Sequence, residues 1–281
     1  MSAEREVPPG GSIESLWRAS GEDVGLIQGT SDYAPGLVRV SFLVIRTDGR
    51  SVERPRARVW LAAGLKEKPF QQGEAALEPI GVPGSAFAEH DVKHLYVTHV
   101  RVPKAGRYWL LAEPVGAKPT VQALGTLVVK AKSESPPVGA RAVPSRTPTI
   151  ASTGGDFAKL TTSSPPDREL LRHSVADTLA ARKPFVVVFA TPKYCTSRTC
   201  GPSVDVVDQA RRDHADSGVR FIHVEIYEGN DPKRGVNRWV EEWSLPSEPW
   251  VFVVGRDGRI KAKFEGSVSV SELETALREI T

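Results

Sequence analysis

Cys195 and Cys200 are the only cysteines in the 281 residues, and they share the run Phe189-Ala-Thr-Pro-Lys-Tyr-Cys195-Thr-Ser-Arg-Thr-Cys200-Gly201-Pro202. Two thiols this close can trade electrons with a disulfide. One thiolate attacks, a mixed disulfide forms, and the second thiol resolves it. As a staple the pair would do little. Closing so short a loop removes about 2 kcal/mol of chain entropy by loop-length scaling. Other chemistry-bearing residues give less. His90, His94 and His99 crowd one β-like stretch. Positions 94 and 99 differ by an odd number and face opposite ways in a strand, so they do not form a shared metal site. His223 falls in an apolar strand and reads as a satisfied core histidine. The only methionine is Met1, which removes a Met-rich copper site. A peroxidase pattern also fails: Thr196 and Pro192 stand four and eight positions before Cys200, each one position too far. No metal or cofactor is assigned.

The elements around the pair explain how it is held. Phe185-Val-Val-Val-Phe189 is a continuous apolar run, as in a strand covered on both faces. After it, Val204, Val207 and Ala210 recur with helical period. A thiol at such a strand-to-helix turn feels the positive end of the helix dipole, which favours thiolate. Upstream, Asp167 is placed to cap a helix carrying Leu171, Val175 and Leu179. Downstream come a strand over 219–224, a helix around 236–243, strands over 250–254 and 260–264 about an Asp257-Gly258 turn, and a last helix. Its opening is read at the capping box Ser271-Glu-Leu-Glu274.

Residues 1–18 read as a polar tail. The stretch 19–132 is β in character. Val38, Val40, Phe42 and Val44 alternate, then Val59 and Leu61, His94–Val100, Tyr108–Leu111 and Leu124–Val129, with Gly, Pro and Asp between them. Short strands with turn residues and no helical period predict an all-β sandwich. Residues 133–155 are rich in Pro, Ser and Thr and read as a linker. Residues 156–281 form the α/β part.

The C-terminal element order resembles the thioredoxin fold. Phe189–Cys195 is similar to the strand end that delivers the first cysteine of that superfamily, and Cys200-Gly201-Pro202 repeats its Cys-Gly-Pro core. Ser247-Glu248-Pro249-Trp-Val-Phe-Val-Val-Gly-Arg-Asp-Gly-Arg-Ile260 resembles the cis-proline strand and hairpin of TlpA-like exported thioredoxins. The N-terminal strands are similar to immunoglobulin-like modules fused to such proteins. The resemblance implies thiol–disulfide oxidoreduction on protein disulfides, with Cys195 and Cys200 as catalytic residues and Gly201, Pro202, Glu248 and Pro249 at the substrate, the last through a cis bond. In the family the residue before that proline offers backbone groups to the substrate. Partners would be protein thiols or disulfides and an electron donor, with a partner protein for the β domain. The chain departs from the family in two ways. Its spacing is Cys-X4-Cys, and Val188 stands where thioredoxins often carry a buried acid. Two alignments follow: the helix dipole favours Cys200 as the more acidic thiol, while the loop position favours Cys195 as the exposed nucleophile.

Composition limits the alternatives. The net charge of +3 is small and its basic residues are spread out, so no nucleic-acid footprint is expected, and no stretch reaches the ~20 apolar residues of a span. The first residues lack a signal-peptide apolar core, which fits either a cytosolic protein or a chain whose leader has been removed. Disulfide chemistry and the exported relatives place the action outside the cytoplasm. Two other functions fit the same chain: an adaptor with a static disulfide on a thioredoxin scaffold, or a Sco-like copper metallochaperone. The stretch Val224–Pro249 holds no histidine, which a Sco-like site would need.

Overall fold

The computed structural model describes residues 11–17, 23–85 and 93–281; His90 and the first ten residues of the expected polar tail lie outside them. The chain divides into two compact units. One comprises residues up to Glu78 together with His94–Ser133, the other Pro79–Lys93 and Glu134–Thr281. The chain therefore leaves the first unit after Glu78 and returns to it at His94.

The first unit holds a short helix, α1 (Ile13–Trp17), and strands β1 (Val24–Gln28), β2 (Gly36–Arg46), β3 (Arg56–Ala62), β4 (Gln71–Pro79), β5 (His94–Val102), β6 (Gly106–Pro114) and β7 (Ala123–Val129). They form one seven-stranded sheet in the order β1-β2-β5-β4-β3-β6-β7. Val40, Phe42 and Val44 of β2 share a core with Val59 and Leu61 of β3 and with Leu110 and Leu127, so the sheet folds over itself. Its two ends meet: Gln28 donates to the Thr126 carbonyl at 2.9 Å. A Cβ on Gly125 would lie 2.7 Å from the tip of the Leu26 side chain, so the two edges approach closely here. The polar tail expected over residues 1–18 is not wholly a tail. Ile13 and Leu16 are buried against Trp60, Ala62 and Leu111, on the outer face of β3. β4 escapes a pattern search because Ala75 alone is buried in its polar sequence. It is held by ladder bonds to β3, not by apolar alternation.

The second unit is built on a four-stranded sheet. Its elements are α2 (Val175–Ala180), β8 (Phe185–Phe189), α3 (Cys200–Asp213), β9 (Arg220–Val224), α4 (Arg238–Glu242), β10 (Trp250–Val254), β11 (Ile260–Glu265) and α5 (Val270–Leu277). The strand order is β11-β10-β8-β9. β8 and β9 are parallel, and β10 is antiparallel to both β8 and β11. This is the element order and pairing expected of a thioredoxin fold. Period-two alternation splits β8 between two cores. Val186 and Val188 pack under α3 and α5 with Val204, Val207 and Leu273. Phe185, Val187 and Phe189 pack on the other face with Val240, Trp243 and Phe252. Trp243 and Phe252 are in ring contact at 4.7 Å.

Three local expectations are corrected. The stretch read as a linker is ordered against the second unit. Gly139 donates to the Ile260 carbonyl at 2.8 Å, Ala142 to that of Gly258 at 2.9 Å, and Trp243 Nε1 to Ser145 Oγ at 3.1 Å. Gly139 and Ala142 thus pair with the β11 hairpin, and Ile150 N pairs with the Leu171 carbonyl further along, so the segment is held at several points. The single helix expected from Asp167 is broken. Asp167 caps only a short turn, accepting from Glu169 N at 2.8 Å, and α2 starts after Ser174. The 134–155 segment, a strap along the second unit, takes backbone groups that a continuous helix would pair internally. The Leu171 carbonyl accepts from Ile150 N, Ala176 N donates to the Ser145 carbonyl, and Val175 N donates to Thr147 Oγ1. Finally, the last capping box is Ser269 with Glu272 rather than Ser271 with Glu274. Both pairs have the right spacing. The helix so begun carries Leu273, Ala276 and Leu277 into the core.

Candidate functional site

Three separate segments bring the site together. β8 runs on through Ala190 and Thr191 into a turn where Tyr194 N donates to the Thr191 carbonyl at 3.3 Å. His223 Nε2, 2.9 Å from the Ala190 carbonyl, fixes this strand end, so this histidine is the satisfied core residue expected. The turn delivers Cys195. Residues 195–199 then loop back, with Arg198 at a φ of 58°, and α3 begins at Cys200. Gly201 and Pro202 occupy its first turn and are buried. Proline costs nothing there, since first-turn N–H groups have no helical acceptor. The third segment is Ser247-Glu248-Pro249, with a cis Glu248–Pro249 bond. Ser247 is fixed between two partners: it donates to Glu265 Oε1 at 2.7 Å and accepts from Trp250 Nε1 at 3.2 Å.

The two sulfurs have opposite surroundings. Cys195 is half-buried and Cys200 fully buried. The Cys200 backbone N–H donates to Cys195 Sγ at 3.3 Å, and Ser197 Oγ lies 3.2 Å from the same sulfur. The Cys200 thiol, above all, with Ser197 and the backbone of Cys200 and Thr199, draws the Cys195 thiol down to about 6. Burial against Val186, Val188 and Val251 pushes the Cys200 thiol well above the ordinary thiol range. Of the two alignments open from the sequence, these surroundings favour the one with Cys195 as the exposed, more acidic thiol. Desolvation penalises a charge at Cys200, while the donors at the start of α3 point at Cys195. Val188 belongs to the apolar floor under Cys200 and supplies no acid.

Glu248 is the residue whose role the sequence understated. Its expected contribution is backbone, yet its carboxyl joins the two sulfurs in a cluster whose donor atoms all lie within 4.8 Å of one another. Burial first, and then Cys195, raise its carboxyl above the usual range. Tyr227, not singled out in the sequence, donates to Glu248 Oε1 at 3.4 Å and packs edge-on against Tyr194 at 6.5 Å. Its signal is faint: a tyrosine three residues beyond an apolar strand. Among the described residues, no histidine offers a ligand atom to this cluster. His94 pairs with Glu53 at 2.9 Å in the first unit, and His99 stands in β5 of the same unit.

Comparison with known proteins is sparse. No family model matches the chain, and no curated protein matches it. Among solved structures, a candidate DsbE thiol:disulfide interchange protein from Chlorobium tepidum aligns at 15% identity and a TM-score of 0.30, over 36% of this chain and 83% of its own. A thioredoxin-family thiol:disulfide interchange protein from Chlorobium tepidum TLS aligns at 15% and 0.28, over 38% and 84%. A thio-disulfide isomerase from Thermus thermophilus aligns at 24% and 0.24, over 34% and 78%. At such scores the likeness carries no weight, and the fold rests on the strand order and pairing described above.

Proposed function

We propose that the protein is a thiol–disulfide oxidoreductase acting on protein disulfides through Cys195 and Cys200. The observation that carries this reading is the asymmetry of the pair: a partly exposed, acidified Cys195 receives the first N–H of α3, with a buried protonated Cys200 behind it. In the reducing direction the Cys195 thiolate attacks one sulfur of the substrate disulfide, and the first substrate thiolate leaves. Cys200 then loses its proton and attacks Cys195 Sγ. The second substrate thiolate leaves, and the two electrons have passed from the pair to the substrate. A substrate strand would lie beside the partly exposed Cys195 and Glu248, with the buried Pro249, Gly201 and Pro202 supporting them from beneath.

The test is disulfide reduction with each cysteine replaced. Cys195→Ser should lower turnover by at least about 100-fold. Cys200→Ser should instead accumulate a mixed disulfide through Cys195. A pair potential well below about −300 mV, with no turnover, would mark a static structural bond and sink the proposal. We further propose that the first unit is an immunoglobulin-like module that binds a partner protein. Lettered A to G in chain order, its strands run A-B-E-D-C-F-G. These are the ABED and CFG sheets of a constant-type domain, joined through the C–D hairpin. Action outside the cytoplasm fits a function that needs persistent disulfides. No described helix is long and apolar enough to cross a membrane.

A further inference from the structure

We propose that the reduced site also binds a thiophilic divalent cation, zinc foremost, through Cys195 Sγ, Cys200 Sγ and the Glu248 carboxylate. The three donors come from a turn, a helix start and the segment before β10, and they converge within 4.8 Å. A tetrahedral zinc with bonds of about 2.3 Å would hold its two sulfurs about 3.8 Å apart. The required contraction is about 1 Å at most between the sulfurs and about 1.3 Å at most between a sulfur and the carboxylate oxygen, whose zinc bond is about 2.0 Å. Cys195 lies on a turn, and Glu248 carries its carboxylate on a flexible stem, so both can supply that movement.

The surroundings favour an ion. Tyr227 donates to Glu248 Oε1, leaving Oε2 for the metal and fixing the carboxylate as an outer-shell partner does. Cys195 and Glu248 are partly exposed while Cys200 is buried, so a fourth position stays open on the outer side for water or an incoming ligand. Two thiolates and a carboxylate bring three negative charges together, and a divalent cation offsets the repulsion among them. Binding releases the Cys200 thiol proton, and the Glu248 proton where present. No electron is transferred. The donor set selects the metal. Two sulfurs favour zinc over magnesium or calcium, and the carboxylate in place of an imidazole or third sulfur makes it poorer for copper(I). Bound zinc occupies both thiols and would hold the pair out of exchange. The proposal shares its residues with the oxidoreductase reading but does not depend on it, since it needs only the reduced thiols.

The test uses the full chain, reduced and freed of metal, titrated anaerobically with zinc against a chromophoric chelator and separately with cobalt(II). The expected result is one equivalent bound, with a thiolate-to-cobalt charge-transfer absorption. The same chain with its cysteines oxidised should bind none, a control that requires no mutation. Glu248→Gln should weaken zinc by about tenfold or more, and Cys195→Ser should abolish the charge-transfer band. No binding by the reduced chain, equal binding after oxidation, or unchanged affinity in Glu248→Gln would each overturn the site. Disulfide reduction measured in parallel separates the two ideas. Turnover without zinc binding removes the metal site alone, and zinc binding without turnover removes the oxidoreductase alone.

Discussion

A cysteine's reactivity follows from which form its neighbours stabilise, and the two sulfurs here are neighbours with opposite answers. The Cys195 thiol falls from 9.0 to about 6 because the Cys200 side chain, Ser197 and the start of α3 all donate toward it. In chelator-treated, reduced protein, alkylation of Cys195 by iodoacetamide should therefore rise with a midpoint near pH 6 and level off by neutrality. An ordinary thiol, near 8.5, would still be climbing there. Cys200 should stay unlabelled until the protein unfolds. The stability linkage has a definite sign. A depressed thiol value in the fold contributes stability that is full above the unfolded value and fades as pH falls through about 6. A single alkylation midpoint above 8 would remove the asymmetry on which the proposed chemistry stands. The sequence marks both cysteines and the Glu248–Pro249 dipeptide. It does not show which sulfur is buried, because the loop of residues 195–199 can present either one until the apolar floor under α3 claims Cys200.

At the scale of elements, the site is held by short connections more than by long helices. Asn237 shows how. Buried at the start of α4, it accepts from Trp239 N and Val240 N at 3.0 and 3.1 Å and donates to the Glu225 carbonyl. It thus ties α4 to the segment that leads into Tyr227. Asn237→Ala should cost about 2 kcal/mol, from a lost cap and an unsatisfied buried carbonyl, measured by denaturant unfolding. A loss under about 0.5 kcal/mol would show that water replaces the side chain at no cost. Elements written as apolar runs were legible from sequence. β8 and β10 bury every residue, so their composition alone declares them. The break before α2 and the order of the 134–155 strap were not legible. Both depend on backbone partners from segments distant in sequence.

At the scale of the whole molecule, the two-part division is plain in composition, but its boundary is not a single point. Residues 80–85 follow β4 of the first unit and yet belong to the second, where Val82 packs against the α3–α5 core. Gly81 has a φ of +77°, and a Cβ there would lie 3.0 Å from Pro202 Cβ. Gly81→Ala should cost about 1–2 kcal/mol from the left-handed backbone alone, with more from the contact. Because that contact falls on the first turn of α3, the variant should also alter the Cys195 alkylation rate. Unchanged stability and unchanged alkylation would show that the segment is not seated on the helix. By itself the sequence determined the strand and helix order of the second unit, the β character of the first, and the residues able to do sulfur chemistry. Those properties follow from local patterning and residue type. Only the tertiary structure decided that Cys200 is the buried partner, that the Glu248 carboxyl rather than only its backbone meets the sulfurs, and that residues 80–85 seat on α3. Each of these depends on desolvation or on contacts between segments far apart in the chain, and no local pattern records them.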